Sequence, residues 1–211
     1  MSSAPDATGI AQPESFAFTA ENLAKAKAIM AKYPPGRQAS AILALLDLAQ
    51  RQHDNWLPRA AMDAVADLLE MSRIRVYEVA TFYTMFNLKP VGKYLLQICT
   101  TTPCWLRGSD EVVAACQRKL GVKMRETTSD GLFTMMEVEC LGGCVNAPII
   151  QVNDDFYEDL DARSTEALLE ALKRGDPPRK GSVKGRQGSM AEGGKTTLKD
   201  LSFSGDPNAR G

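Results

Sequence analysis

The segments YLLQICTTTPC (residues 94–104) and FTMMEVECLGGC (residues 133–144) each lead from an apolar run directly into a pair of cysteines. Each run has the length and composition of a short buried strand, which predicts strands over 94–100 and 133–140. A helix is predicted between them, over 109–120, and it could serve as the crossover between two parallel strands. If the two strands are neighbours, both cysteine pairs leave the sheet at the same edge.

The cysteines have the spacing of a four-thiolate site. Cys99 and Cys104 form a C-x4-C pair, Cys140 and Cys144 form a C-x3-C pair, and 35 residues separate the two pairs. Iron–sulfur clusters are held by four deprotonated cysteine sulfurs in a preset geometry. The sequence therefore predicts these four cysteines as the ligands of one cluster, and it identifies no catalytic residues.

The loops between the paired cysteines suit the same role. Gly142 and Gly143 permit a tight turn and a close approach of the backbone to inorganic sulfide. Their N–H groups are candidate donors to the sulfurs, which would tune the reduction potential. Pro103 is expected to stiffen the other loop.

Other kinds of cysteine site stay open on spacing alone. Structural zinc sites also use four cysteines, normally in C-x2-C pairs, which this chain lacks. Redox-active dithiols normally have the same C-x-x-C spacing. A Rieske centre is excluded, because it requires two histidines and the chain has only His53. The fifth cysteine, Cys116, falls among apolar residues of an amphipathic helix and is predicted to be a core thiol.

Around these segments the pattern predicts an α+β or α/β protein with a helical N-terminal part. Four helices with short connections indicate a small antiparallel bundle, the first running over 20–32 and the last over 72–86. Two more strands (149–153 and 156–160) and a final helix capped by Ser164 follow the second cysteine pair. The predicted divisions are a flexible arm (1–15), a helical bundle (16–89), an iron–sulfur domain (90–174) and a Gly-rich basic tail (175–211).

The tail differs from the rest of the chain in composition. The last 38 residues contain half of the 16 glycines. They also carry eight Lys and Arg residues but only four Asp and Glu residues. Such a segment buries little apolar surface, so it is expected to be solvated or to lie along a partner protein.

Charge and hydropathy exclude several classes of protein. The chain has 25 Lys and Arg against 26 Asp and Glu, which argues against a dedicated nucleic-acid binder. No apolar run approaches the length needed to span a bilayer, so no direct membrane insertion is expected. The N-terminus lacks the basic residues of a secretory or mitochondrial leader, which predicts either a cytoplasmic location or an already processed form.

Four segments carry a resemblance to a known family. YPPGRQASAILALLDLAQRQ (33–52), VYEVATFYTMF (76–86), KPVGKYLLQICTTTPCWLRGS (89–109) and EVECLGGCVNAPIIQVND (137–154) together resemble the E subunit of NADH:quinone oxidoreductase, respiratory complex I. The resemblance covers roughly residues 15 to 175. It implies a thioredoxin-like ferredoxin domain with a [2Fe–2S] cluster on Cys99, Cys104, Cys140 and Cys144. Four cysteines alone do not distinguish this type of cluster from [4Fe–4S].

The resemblance also implies an assembly. The expected partners are the flavin-bearing, NADH-binding subunit and other peripheral-arm subunits of the complex, on the cytoplasmic face of the inner membrane. NADH and FMN would be bound by the partner and not by this chain. Pro148 occupies the place where thioredoxin folds often carry a cis proline, and Gly143 stands where alanine is expected in many relatives.

Two alternative functions follow from the same residues. Homologous modules occur in NAD-linked formate dehydrogenases and hydrogenases, which would keep the chemistry and change the assembly. A zinc-stabilised interaction module would have no redox role.

Overall fold

The computed structural model describes residues 10–194 and 196–197. The chain divides into two compact units at the boundary between Lys93 and Tyr94. The finer division predicted from the sequence, at residues 15, 89 and 174, stays a prediction. Residues 1–9 of the predicted arm, and residues 195 and 198–211 of the predicted tail, lie outside the described part.

Over its described residues, 10–93, the first unit contains four α-helices packed around their apolar stripes. They are α1 (Ala20–Met30), α2 (Ile42–Gln52, preceded by the 3-10 turn Gln38–Ala41), α3 (Arg59–Leu68) and α4 (Arg73–Phe82). Thr19 caps α1, and its hydroxyl accepts a hydrogen bond from the Asn22 N–H at 3.2 Å. Leu45, Leu46 and Val65 are fully buried between the helices, so the helical N-terminal part predicted from the sequence is present.

Two of these helices end earlier than the sequence predicts. α1 ends at Met30 instead of Lys32, and α4 ends at Phe82 instead of Phe86. Phe86 lies beyond α4 but is buried in the core of the unit. Because this apolar residue falls at helical spacing in the sequence, it makes the predicted helix longer than the observed one.

The second unit is built on a five-stranded mixed sheet. Its strands are β1 (Tyr94–Cys99), β2 (Phe133–Val138), β3 (Ile150–Val152), β4 (Asp155–Glu158) and β5 (Gly181–Ser182), in the spatial order β2-β1-β3-β4-β5. β1 pairs with β2 in parallel, with Cys99 opposite Val138. Because the strands are parallel and in this register, the chain segments that follow them leave the sheet at one edge, as predicted.

Three α-helices complete the part of the second unit that the structure describes. They are α5 (Thr102–Leu106), α6 (Ser109–Leu120) and α7 (Ala162–Arg174). Side chains of the sheet, α6 and α7 form one core that includes the buried Leu96, Met135 and Leu169. Cys116 of α6 is a fully buried member of this core, as predicted.

The cap of the final helix differs from the prediction. Asp161, and not Ser164, is the N-cap residue of α7, and Ser164 is the third helical residue. The Asp161 carboxylate accepts from the Ser164 N–H at 2.7 Å, while the Ser164 hydroxyl accepts from the Asp161 N–H at 2.8 Å. Both residues thus belong to a capping box, in which either one can be read as the cap from sequence.

The basic tail is exposed over residues 175–180, but its continuation attaches to the second unit. β5 pairs in parallel with β4, Gly181 lying opposite Tyr157. Arg186 is largely buried against the unit, with 8% of its side chain exposed. A segment this polar contributes contacts through ions and backbone hydrogen bonds, which composition alone does not reveal.

None of the helices in the described part of the chain combines the length and the apolar character that crossing a bilayer requires.

Candidate metal centre

The first cysteine pair is buried below the edge of the sheet. Cys99 is the last residue of β1, and its N–H donates to the Ile149 carbonyl at 3.3 Å. Cys104 lies one turn further on, in the short helix α5, and each of the two side chains is 1% exposed. The sequence predicts a loop stiffened by Pro103 here. Instead, Pro103 lies in the first turn of α5, where its missing N–H costs no helical hydrogen bond.

The second pair lies nearer the surface. Cys140 is exposed, Cys144 is partly exposed, and their Sγ atoms are 3.4 Å apart. Between them the backbone turns at Gly142, whose φ of +82° is favourable for glycine. This turn directs the Gly142 N–H at the Cys140 Sγ, at 3.4 Å.

The two cysteine loops meet at one edge of the sheet. Cys99 and Cys104 share a small buried cluster with Ala147, and Leu141 from the second loop packs on it. The Thr101 hydroxyl lies 3.2 Å from the Cys99 Sγ. Thr101 also helps to lower the pKa of Cys140, after the larger effects of the Gly142 N–H and the Cys144 thiol. Thr101 therefore influences one sulfur of each pair.

The titration of the thiols reflects this proximity. Burial raises the pKa of Cys99, but hydrogen bonds from Thr101, Leu141 and Cys104 outweigh it, so that this pKa is lowered. Burial and the neighbouring Cys99 raise the pKa of Cys104 to about 12. The Gly142 N–H and the Cys144 thiol lower the pKa of Cys140, and Cys140 in turn raises the pKa of Cys144. In each pair, one thiolate is stabilised by its neighbour.

The four thiols suit a two-iron cluster. All are free, including the closely spaced Cys140 and Cys144. In the described residues, no group of three or more His, Cys, Asp or Glu side chains is assembled around a single ion position. The sulfurs instead form two pairs, and a [2Fe–2S] cluster with four cysteine ligands takes two thiolates on each iron. The backbone N–H groups directed at the sulfurs supply the donors that such a cluster accepts.

Sequence reasoning missed three parts of this site. It did not single out Thr101, because a hydroxyl two residues after a cysteine has no distinctive spacing. It did not identify α5, since five residues are too few to show helical periodicity. It did not connect Arg186 with Val145, the residue after Cys144, although the two are joined by a 2.8 Å hydrogen bond.

Comparison with protein families gives a match over most of the chain. Residues 26–173 match the family described as thioredoxin-like [2Fe–2S] ferredoxin. The Ala147–Pro148 peptide bond is cis, as the resemblance of the sequence implies.

Curated relatives are similar over most of their length. The chain is 58% identical over 158 residues to the NADH-quinone oxidoreductase E subunit of Rickettsia bellii (strain RML369-C), covering 75% of this chain and 95% of the relative. It is 50% identical over 183 residues to NADH dehydrogenase [ubiquinone] flavoprotein 2, mitochondrial, of Dictyostelium discoideum, covering 87% and 74%.

A solved structure shares the fold. An NAD+-reducing [NiFe]-hydrogenase in the H2-reduced state superposes with a TM-score of 0.57 at 20% identity, over 65% of this chain and 23% of the hydrogenase chain.

Gly143 has a packing constraint that the sequence does not show. Its φ of −96° suits any residue, but a Cβ at this position would lie 2.6 Å from the Cδ1 atom of Ile149, whose side chain is buried. The terminal methyl of Ile149 therefore occupies the space that an alanine side chain would need.

We expect Gly143→Ala to lower the free energy of unfolding more in the native chain than in an Ile149→Val background, where the obstructing methyl is absent. The interaction free energy between the two substitutions should be about 1 kcal/mol, as is usual for residues in contact. Urea unfolding of the two single variants and the double variant measures it. Strictly additive effects would show that the Ile149 methyl moves aside freely.

Proposed function

The chain belongs to the thioredoxin-like [2Fe–2S] ferredoxin family, and from this premise we propose that it is the electron-transferring E subunit of an NADH:quinone oxidoreductase. The observation that carries the proposal is the meeting of two cysteine loops with four free thiols at one sheet edge, in a chain that spans 95% of a relative bearing that name. The chain contributes to an oxidoreductase without holding a complete active site.

We propose Cys99, Cys104, Cys140 and Cys144 as the cluster ligands. When bound, the [2Fe–2S] group accepts and returns a single electron. The chain holds the inner pair of sulfurs rigidly through β1 and α5 and excludes water from them by burial. It presents the outer pair near the surface, in a turn stabilised by the Gly142 N–H.

The surroundings of the outer pair support docking of an electron-transfer partner. Trp105 and Leu106 directly follow Cys104, Val145 directly follows Cys144, and these three apolar side chains are 56–70% exposed. Exposed apolar residues grouped around a redox site are typical of a protein interface. We propose that this surface faces the flavin-bearing, NADH-binding subunit, at the cytoplasmic face of the membrane.

Neither alternative function has comparable support. The hydrogenase likeness, at 20% identity, shows the fold alone. A zinc module rests on the four thiols alone, whereas the family that the chain matches is described as a [2Fe–2S] ferredoxin.

The ligand set has a direct test. Cys104→Ser should leave little bound iron and acid-labile sulfide and no [2Fe–2S] EPR signal after reduction. Even a change outside the ligand set typically costs about 10–100-fold in metal affinity, and this change removes a ligand. Cys116→Ser is the matched control, since it alters a buried thiol of the same unit that lies in the core.

Anaerobically purified protein is the material for both variants. A Cys104→Ser protein with the EPR spectrum of the unsubstituted chain would remove Cys104 from the ligand set. Colourless unsubstituted protein with stoichiometric zinc would refute the iron–sulfur function altogether.

The place in the assembly is tested by reduction with NADH. The isolated chain with its cluster should be reduced by dithionite but not by NADH, because NADH binds to the partner. Addition of the flavin-bearing subunit should allow reduction by NADH, followed as bleaching of the visible absorption. Rapid reduction of the isolated chain by NADH would contradict the proposal, as would no reduction by NADH with the partner present.

Thr101 is expected to tune the reduction potential. A hydrogen bond from its hydroxyl to the Cys99 sulfur favours the more negative, reduced state. Thr101→Val removes this donor and keeps the shape, and it should lower the midpoint potential. Taking about 1 kcal/mol for the bond, the shift is about 40 mV for one electron. Thr101→Ser should stay near the unsubstituted value in an EPR-monitored redox titration. Equal potentials for valine and serine would show that the hydroxyl has no such role.

A further inference from the structure

The basic tail turns back onto the second cysteine loop. Residues 181–192, called the strap here, begin with β5 on the edge of the sheet and continue across the turn Cys144–Asn146. Resting on the proposed cluster function, we propose that Arg186 is a positioning residue for the cluster, which fixes the backbone beside Cys144 through a buried ion pair with Asp159.

Arg186 binds three groups at once. Its Nε and Nη2 donate to the two carboxylate oxygens of Asp159, at 2.9 and 2.5 Å. Nη2 also donates to the Val145 carbonyl at 2.8 Å, and Nη1 donates to the Met190 carbonyl at 3.1 Å. Val145 is bonded directly to Cys144, so one guanidinium joins the strap, the body of the domain and the backbone beside a proposed ligand.

Asp159 is anchored to the same turn from the other side. It is fully buried, and its N–H donates to the Asn146 carbonyl at 2.7 Å. The Ser182 hydroxyl of the strap donates to the same carboxylate at 2.6 Å. Burial favours the neutral acid, but the hydrogen bonds from Arg186 and Ser182 prevail and hold the pKa of Asp159 below its usual value. The pair is therefore ionic.

Asn146 closes the network. Its side-chain Nδ2 donates to the Gly188 carbonyl of the strap at 2.8 Å and to the Glu158 carboxylate at 2.6 Å. The turn after Cys144 is thus fixed at Val145 by Arg186, and at Asn146 by both Asp159 and Gly188. A metal ligand on a turn held in this way has little freedom, which is how residues outside the ligand set orient a metal site.

The strap also reaches toward the first cysteine loop, though weakly. Glu192 pairs with Lys184 within the strap and lies 3.6 Å from Arg107, just beyond the helix that carries Cys104. All three side chains are about half exposed, and exposed pairs of this kind contribute little. The positioning role is therefore assigned to Arg186 and not to Glu192.

The test compares Arg186→Gln with Lys180→Gln. Both remove one positive charge from the same tail. Lys180 pairs with Asp155, the first residue of β4, and Arg186 pairs with Asp159, which directly follows β4. The Lys180–Asp155 pair is exposed and does not touch the cysteine loop. Arg186→Gln should release iron to a chelator about 10-fold faster and shift the g values of the reduced-state EPR spectrum. Lys180→Gln should match the unsubstituted chain in both. Arg186→Lys keeps the charge but cannot form the bidentate hydrogen bonds, so iron should be released at an intermediate rate.

Each outcome decides the proposal. Unchanged release and an unchanged EPR spectrum in Arg186→Gln would overturn it, as would an equal change in Lys180→Gln. If Arg186→Gln gives no folded protein, Arg186→Lys decides, and release at the unsubstituted rate overturns the role of the guanidinium. Absence of iron and sulfide in the unsubstituted chain would instead refute the proposed function itself.

Discussion

The parallel pairing of β1 with β2 is the constraint on which the site depends. Its register sets Cys99 opposite Val138, so the chain leaves both strands at one edge and the two cysteine loops must meet there. A slip of one residue would turn every side chain of a strand to the opposite face. The buried apolar side chains of β1 and β2 in the core oppose such a slip. The hydrophobic core of the second unit therefore determines where the sulfurs lie.

Much of this arrangement is predictable from sequence, because strands and long helices have periodic patterns. The apolar runs before Cys99 and Cys140, and the amphipathic pattern of α6, are sufficient to predict a β-α-β unit with both pairs at one edge. The features that were missed lack periodicity. α5 has five residues, Thr101 acts through one hydroxyl, and β5 has two residues with no apolar side chain. Phe86 shows the opposite error, in which a buried loop residue continues a helical pattern.

The two pairs of thiols meet two different requirements of an electron carrier, and these requirements conflict. A cluster is protected best when its ligands are buried, yet electron exchange requires an approach to a partner. Cys99 and Cys104 are buried on regular elements, whereas Cys140 is exposed on a turn. The turn lacks the support that a strand or helix gives, so it needs support from elsewhere. The exposed Leu106 and Val145 beside the pairs mark the face on which a partner would complete the burial.

The strap supports the turn after Cys144 through contacts that its amino-acid composition does not predict. A glycine-rich basic segment cannot attach itself through apolar burial. It attaches here through Arg186, and an ion pair is tolerated in a protein interior only when both charges are bound on all sides. Asp159 meets this condition because its carboxylate accepts hydrogen bonds from the Ser182 hydroxyl and from two nitrogens of Arg186. The same requirement makes the attachment specific, since a strap displaced by one residue would leave a buried carboxylate without its cation. A polar tail thereby acquires a single position beside Cys144, which apolar contacts between glycine-rich segments would not define.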